Sequence, residues 1–241
     1  MENTTIDSII FSDIKICQPA RGGFRFGCDS PLLAYFARIK RSWHIADVGS
    51  GSGVIGALAA KIYGTKVTAI EAQSEMFDCL CKTVELCGLQ DSVFPIEADI
   101  NIYRSNFLFD GVICNPPYRK AGTGRVSGNP VERNARFSYT MDLEMLVKFC
   151  RKNMKHGGKL FFSYDADMLS DAVSICRAGN LEPKRLRLVY PNPSKNAKLM
   201  LMECVLGGGV ELIIEPPLFQ TGGSSEYEDI FSGKWTKSEQ H

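Results

Sequence analysis

A doubly wound α/β fold, with a mostly parallel seven-stranded sheet and one antiparallel edge strand, is predicted from three observations. From residue 45 onward, short apolar strand signals alternate with helical ones across short connections. Glycines crowd the first strand-to-helix turn, in Gly49-Ser-Gly-Ser-Gly53. Two apolar runs with no helix between them, 185–190 and 199–206, close the series, and such a pair requires an antiparallel edge.

Each element has its own justification. Residues 9–16 and 18–26 alternate apolar and polar positions around a Pro/Gly break, which suggests a hairpin or two strand-like pieces. Asp29 or Ser30 then caps a helix with Pro31 in its first turn. Residues 45–48 read as the first core strand, followed by a helix to about Tyr63. Strand 66–70 ends at Glu71, helix 74–87 stops at Gly88, and strand 93–96 ends at Glu97-Ala-Asp-Ile100. A fourth strand, 107–114, leads into Asn115-Pro-Pro-Tyr118. Beyond a loop at 119–137, residues 141–150 have helical spacing and Gly157-Gly158 is expected to end that helix. Strand 159–164, helix 168–177 and the final strand pair follow, and 210–214 can add a short strand. The last ten or so residues are expected to be mobile.

The composition sets the bounds. With 241 residues and 44% hydrophobic content, one large domain with appendages is expected. No apolar run is long enough to span a bilayer and the N-terminus lacks the parts of a signal peptide, so no membrane partner and a cytoplasmic site are expected. Nine cysteines then read as reduced, mostly buried thiols. Cys79 and Cys81 form only a Cys-x-Cys, and His44, His156 and His241 have no ligand spacing, so no metal is expected. The sequence does not set the oligomeric state; a monomer is the starting expectation.

Charge is unevenly spread. Residues 41–118 carry 5 Lys/Arg against 9 Asp/Glu, whereas 119–200 carry 16 against 7, a net +9. That basic half suits a polyanion such as RNA, and the competing reading is lysines solvated on helix faces.

The glycine turn points to an adenosine-containing cofactor. Gly51-Ser-Gly-Val-Ile-Gly56 satisfies the dinucleotide spacing, and Glu71, 24 residues after Asp47, is placed to accept ribose hydroxyls. An acid at Asp47, in the strand just before the turn, would repel a pyrophosphate but suits an ammonium group, which favours S-adenosylmethionine. Gly49, Gly51 and Gly53 form the turn beneath it. Asp99 is placed to accept from the adenine amino group while Ile100 packs on the ring; the competing role for Asp99 is a helix cap.

Asn115-Pro-Pro-Tyr118 supplies acceptors for a different group. An exocyclic amine is a poor nucleophile because its lone pair is delocalised. The Asn115 amide oxygen and the Pro116 carbonyl can take its two N–H hydrogens and aim the lone pair at an electrophile. Pro116 and Pro117 stiffen the turn, and Tyr118 offers a face for stacking. The competing reading is a plain turn, since all four residue types favour turns.

Taken together, these motifs resemble Rossmann-type S-adenosylmethionine-dependent methyltransferases, and the tetrad resembles that of enzymes methylating exocyclic or amide nitrogen. Phe24-Arg-Phe-Gly-Cys-Asp-Ser-Pro-Leu-Leu-Ala34, Asn134-Ala-Arg136 and Glu215-Pro-Pro-Leu218 are similar to the bacterial tRNA1(Val) adenine N6-methyltransferase family, which acts beside the anticodon. The resemblance covers about residues 24–231. It implies an N-terminal extension or lid over 1–40, a methyltransferase domain over 41–215 and a tail over 216–241. It also implies that Phe26 and Asp29 lie over the methionine end of the cofactor, with Asp47, Glu71, Asp99 and Asn115 lining the pocket.

The expected reaction is methyl transfer to adenosine N6 in RNA, most simply tRNA, with Arg119, Lys120, Arg125, Arg133 and Arg136 on phosphates and Lys184, Arg185, Arg187, Lys195 and Lys198 extending the track. The alternatives are glutamine N5-methylation of a protein, another RNA or DNA amino-methylation, and an inactive RNA-binding protein that keeps the fold. Against the glutamine enzymes stands the short stretch, about 40 residues, ahead of the first core strand.

Overall fold

The chain is described by a computed structural model over residues 4–8, 14–20, 27–116 and 141–234. It begins with an antiparallel hairpin of β1 (Thr4–Ser8) and β2 (Lys15–Pro19), in register from Thr4 opposite Pro19 to Ser8 opposite Lys15. The hairpin itself is as expected, but its strands lie several residues earlier than 9–16 and 18–26. The apolar residues Ile14, Ile16 and Cys17 set the register by turning inward, where they are buried. Residues 9–13 and 21–26, including Phe26, lie outside the described residues.

Helix α1 (Asp29–Ala37) follows, with Pro31 in its first turn as expected. Neither expected side-chain cap forms. Cys28 holds the cap position without a side-chain hydrogen bond, and Asp29 is the first helical residue. Residues 30–37 are buried almost throughout, so α1 is a packed layer of the core.

The main sheet grows from β3 (His44–Val48), which pairs in parallel with β4 (Lys66–Glu71) on one side and β6 (Phe109–Cys114) on the other. β5 (Val93–Glu97) extends it beyond β4, and β7 (Met154–Asp165) extends it beyond β6. The chain therefore runs outward through β3, β4 and β5, then returns to the far side of β3. This reversal opens a crevice past the carboxyl ends of β3 and β6, where sheets of this kind bind ligands. Helices α2 (Val54–Tyr63) and α3 (Ser74–Leu86) cover the same face as α1, while α4 (Leu143–Asn153) and α5 (Leu169–Ala178) cover the other.

The antiparallel strand is not at the edge. β9 (Leu199–Leu206) lies between β7 and β8 (Leu181–Tyr190), antiparallel to both. The outer side of β8 is taken in turn by two short parallel strands, β10 (Ile213–Ile214) and β11 (Leu218–Phe219), which bring the sheet to nine strands among the described residues. β9 is buried on both faces because it is an interior strand, with Val205 its one half-buried residue and Glu203 its one charged residue.

Gly157-Gly158 does not end α4. The helix stops at Asn153, whose side chain donates to the Phe149 carbonyl at 3.0 Å, and Met154 already pairs with Phe109. The glycines lie in an irregularity of β7: Gly157 has a φ of 77°, and a Cβ on Gly158 would meet the Lys155 carbonyl at 2.8 Å. At the far end of the described chain, α6 (Glu226–Ser232) returns to α1, and its Ile230 joins the same cluster as Leu32, Leu33 and Leu218. Residues 235–241, most of the segment expected to be mobile, lie outside the described residues. Among the described residues no helix is long and apolar enough to cross a membrane.

Candidate active site

The floor of the crevice is the turn after β3. Gly49 and Ser50 donate their backbone N–H groups to the Ile70 carbonyl at 2.9 and 3.1 Å, which ties the turn to β4. Gly51 and Gly53 have φ of 55° and 84°, a region that strains other residues, and a Cβ on Gly53 would lie 2.6 Å from the Leu80 side chain.

Two acids bracket this turn. Asp47, 1% exposed, accepts the Gly56 N–H on Oδ2 at 2.9 Å, while its Oδ1 has no hydrogen-bond partner among the described residues. Burial pushes its carboxyl up to about 7; hydrogen bonding from Ser50 and Gly56 opposes the shift and the nearby Glu71 carboxylate adds to it. Glu71 is also buried. It accepts from Gly51 N on Oε2 at 2.8 Å, and from Ala72 N and Gln73 N on Oε1 at 3.0 and 2.9 Å. Three N–H donors hold the carboxylate still with acceptor capacity to spare.

This donor set fits S-adenosylmethionine. A bare buried carboxylate oxygen, expensive unless it is paired or protonated, suits an ammonium group, whereas a pyrophosphate on the turn would be repelled by Asp47. Asp99 follows β5 as expected, but its Oδ1 accepts from Asn101 N at 2.8 Å and Asn101 Nδ2 at 2.9 Å, so it caps the turn at 100–103. No helix follows it among the described residues before β6, so the expected alternative of a helix cap becomes a turn cap, and an adenine amino group would have to reach Oδ2. Ile100 is half-buried against the cluster beneath the sheet.

Asn115 lies directly after β6. Ser163 Oγ on β7 donates to Asn115 Oδ1 at 2.5 Å, and Asn115 Nδ2 donates to Ser30 Oγ on α1 at 3.4 Å. The second contact joins α1, and with it Asp29, to the end of β6. Ser30 is marked in the sequence only as a candidate helix cap, and Ser163 only as a polar residue inside the apolar run Leu-Phe-Phe-Ser-Tyr164. Pro116 is buried beside Asn115, whereas Pro117 and Tyr118 lie outside the described residues.

The basic track divides. Arg119, Lys120, Arg125, Arg133 and Arg136 lie outside the described residues. Lys195 and Lys198 are exposed in the β8–β9 turn, at the sheet end that carries Asn115. Lys184 lies in the first half of β8, toward the opposite end, and donates to the Gly209 carbonyl at 3.2 Å.

Arg185 and Arg187 are not surface cations. Arg185 donates to Glu203 at 2.7 Å, Glu215 at 3.1 Å and the Phe36 carbonyl at 2.6 Å, and lies 4.4 Å from the Phe36 ring centroid. Arg187, 5% exposed, grips both oxygens of Glu226 at 2.6 Å and the Pro216 carbonyl at 3.0 Å. Their donors are spent inside the protein, which removes them from the expected RNA track. Among the described residues no cluster of three His, Cys, Asp or Glu side chains could hold a metal ion.

With this geometry in place, comparison with known proteins gives the family. Residues 28–168, more than half of the chain, match the methyltransferase small domain family. The chain belongs to that family. This methyltransferase uses S-adenosylmethionine, and the acids around the Gly49–Gly53 turn are the residues of the chain that suit it. It is 25% identical over 183 residues to the tRNA1(Val) (adenine(37)-N6)-methyltransferase of Aliivibrio salmonicida, covering 75% of this chain and 77% of that one. To the Parabacteroides distasonis protein of the same name it is 25% identical over 182 residues, covering 74% and 76%. Among solved structures, a predicted O-methyltransferase from Agrobacterium tumefaciens superposes with a TM-score of 0.68 at 23% identity, over 86% of this chain and 96% of that one. Methanocaldococcus jannaschii Trm5 in complex with adenosine superposes with a TM-score of 0.63 at 12% identity, over 86% and 56%. These two likenesses concern the fold alone.

Proposed function

We propose that this methyltransferase transfers a methyl group to N6 of an adenosine in tRNA, with the position beside the anticodon of valine tRNA as the first acceptor to test. The observation that carries this reading is Asn115, a neutral carboxamide held at the carboxyl end of β6, in a chain whose relatives over three quarters of its length bear the name of that activity.

The cofactor supplies an electrophilic methyl group on a sulfonium. The chain's own residues do the rest. Asp47 would hold the cofactor's ammonium end and Glu71 its ribose hydroxyls, while Asp99 and Ile100 would frame the adenine. Asn115 Oδ1 and the Pro116 carbonyl would accept the two N–H hydrogens of the incoming amine, turning its lone pair toward the methyl carbon. Tyr118 would stack on the base, which must leave its own stack to enter. The surplus proton on nitrogen departs after transfer, with no strong base required. Arg119, Lys120, Arg125, Arg133 and Arg136, with Lys195 and Lys198, would meet phosphates around the entrance. Such an acceptor would set the enzyme to work in the cytoplasm.

The direct test incubates the protein with labelled S-adenosylmethionine and total RNA, DNA or protein, then maps the modified position. Label on adenosine N6 of tRNA is expected. Label found only on protein glutamine overturns the proposal. Asn115→Ala is expected to lower kcat at least about a hundredfold while RNA binding persists; undiminished turnover would remove Asn115 from the mechanism.

A further inference from the structure

Asparagine is a risky choice for holding an amine. Its carboxamide keeps nearly the same shape when rotated by 180° about its terminal bond, but the rotation replaces an acceptor by a donor. An Asn115 presenting NH₂ to the substrate would repel the amine it has to bind. Something must hold the oxygen forward.

The surroundings of Asn115 provide this. On the face of the sheet that packs against α1 and α2, neighbouring strands contribute the buried apolar Ile113, Phe161, Val189 and Leu201, with the ion-paired Arg185, Arg187 and Glu203 on β8 and β9 beyond them. Ser163 shares this face, follows Phe161 by two residues and is paired across β9 with Leu201. It is fully buried, at 0% exposure. A fully buried hydroxyl costs stability unless it is hydrogen-bonded, and an aliphatic residue would fill the site at no such cost. Cys114 is in register with Phe162, so the next position on each strand brings Asn115 and Ser163 side by side.

The distances indicate which end of the amide meets which serine. At 2.5 Å, the contact between Ser163 Oγ and Asn115 has the length of an O–H···O bond and is short for N–H···O. At 3.4 Å, the contact from Nδ2 to Ser30 is a loose N–H···O bond. A carbonyl oxygen has two lone pairs, and a donor on one leaves the direction of the other fixed in the amide plane.

We infer that Ser163, assisted by Ser30, is the positioning residue that orients the Asn115 carboxamide, so that its oxygen faces the acceptor amine. The inference rests on the role given to Asn115 above. Ser163 acts through Asn115 and not directly on substrate or cofactor.

The test is Ser163→Ala, alone and combined with Asn115→Ala. Three quantities are measured: kcat and KM for methylation of a valine tRNA transcript, the Kd for S-adenosylhomocysteine, and thermal stability. The side-chain amide signals of Asn115 in ¹⁵N-labelled protein, assigned by their loss in Asn115→Ala, are recorded alongside. Ser163→Ala is expected to lower kcat about ten- to a hundredfold, with KM and the Kd within about twofold. Melting should fall by no more than a few degrees, the effect of one lost hydrogen bond and one small vacated volume. The Asn115 amide signals should shift or broaden, and the double variant should be no slower than Asn115→Ala alone.

Unchanged kcat, unmoved Asn115 signals, or a further multiplicative loss in the double variant would each overturn the inference. A lowered melting temperature with lost cofactor binding would do so too, since it would make Ser163 a merely structural residue. If the wild-type protein methylates no RNA, the proposed function fails separately, and the amide signals still decide whether Ser163 holds Asn115.

Discussion

The two ends of the sheet treat charge in opposite ways. Around the turn after β3, Asp47 and Glu71 are buried acids with no arginine or lysine among their hydrogen-bond partners in the described residues; their partners are backbone N–H groups, and one oxygen of Asp47 is left bare. Around β8 and β9, Arg185, Arg187 and Lys159 meet Glu203, Glu215 and Glu226 in direct ion pairs. The first arrangement is incomplete by itself and suits a cationic ligand. The second is already neutralised and holds the strands, α1 and α6 together. A buried charge signals a ligand only when the protein has not already supplied its counter-charge.

Breaking the closed network should give the largest effect on stability. Arg187→Ala leaves the Glu226 carboxylate, the Pro216 carbonyl and a gap between α1 and α6, and is expected to cost about 3 kcal/mol, read as a shift in urea midpoint with an unchanged slope. RNA affinity measured well below the melting temperature should hardly move; a strong, salt-dependent loss of RNA binding would return Arg187 to the surface track. The acid side follows from Glu226. Hydrogen bonds from Arg187 hold its carboxyl below the usual range. This contribution to stability is present above the ordinary carboxylate pKa and disappears as pH falls through the depressed value. The wild type should therefore lose more stability than Arg187→Ala between about pH 5 and pH 3.

Asp47 should behave in the reverse sense. Its carboxyl is raised to about 7, so the cofactor-free fold loses stability as pH climbs from the unfolded value near 3.8 to about 7 and is level above that. Asp47→Asn should stabilise the cofactor-free protein by about 1–2 kcal/mol at pH 8, and the gain should shrink toward pH 4. The same variant should weaken S-adenosylmethionine binding at least about tenfold at pH 8. Wild-type affinity should fall as pH drops below 7 because the ligand then competes with a proton. Calorimetric titrations between pH 5.5 and 8.5 would show both trends, and a pH-independent affinity would mean that Asp47 does not face the ammonium.

The smallest effect belongs to the exposed lysines. Lys195→Ala with Lys198→Ala should weaken tRNA binding severalfold at low salt and much less at high salt. The slope of log affinity against log salt should fall by roughly 0.7–0.9 for each phosphate no longer neutralised. An unchanged slope would place the RNA elsewhere.

Much of this architecture is legible in the sequence because apolar runs, glycine turns and strand-end acids are local signals. β3, α2, β4, α3 and β5 fall within a residue or two of where periodicity and caps set them. What the sequence withholds depends on partners far along the chain. Arg185 and Arg187 look like surface cations until Glu203, Glu215 and Glu226, 18 to 39 residues further on, are seen to meet them. The interior place of β9 depends on whether it or β8 pairs with β7, which neither strand's own pattern states, and the two-residue strands β10 and β11 that cover β8 carry almost no pattern. The hairpin slides because alternation fixes which residues share a face but not where pairing stops. Asp99 keeps both of its readings until Asn101 is seen on its Oδ1.

The return of α6 to α1 has a consequence for how the enzyme is made. A ribosome releases β8 before it has synthesised Pro216 and Glu226, the groups that satisfy Arg187, and before Glu215, which shares Arg185 with Glu203. Until those last residues emerge, a nascent chain that has already closed its sheet carries an unmatched guanidinium at the interface with α1, the helix whose Ser30 touches Asn115. Messages truncated after β9 would therefore yield chains with the Gly49–Gly53 turn in place but Arg187 unmatched, prone to surveillance by proteases.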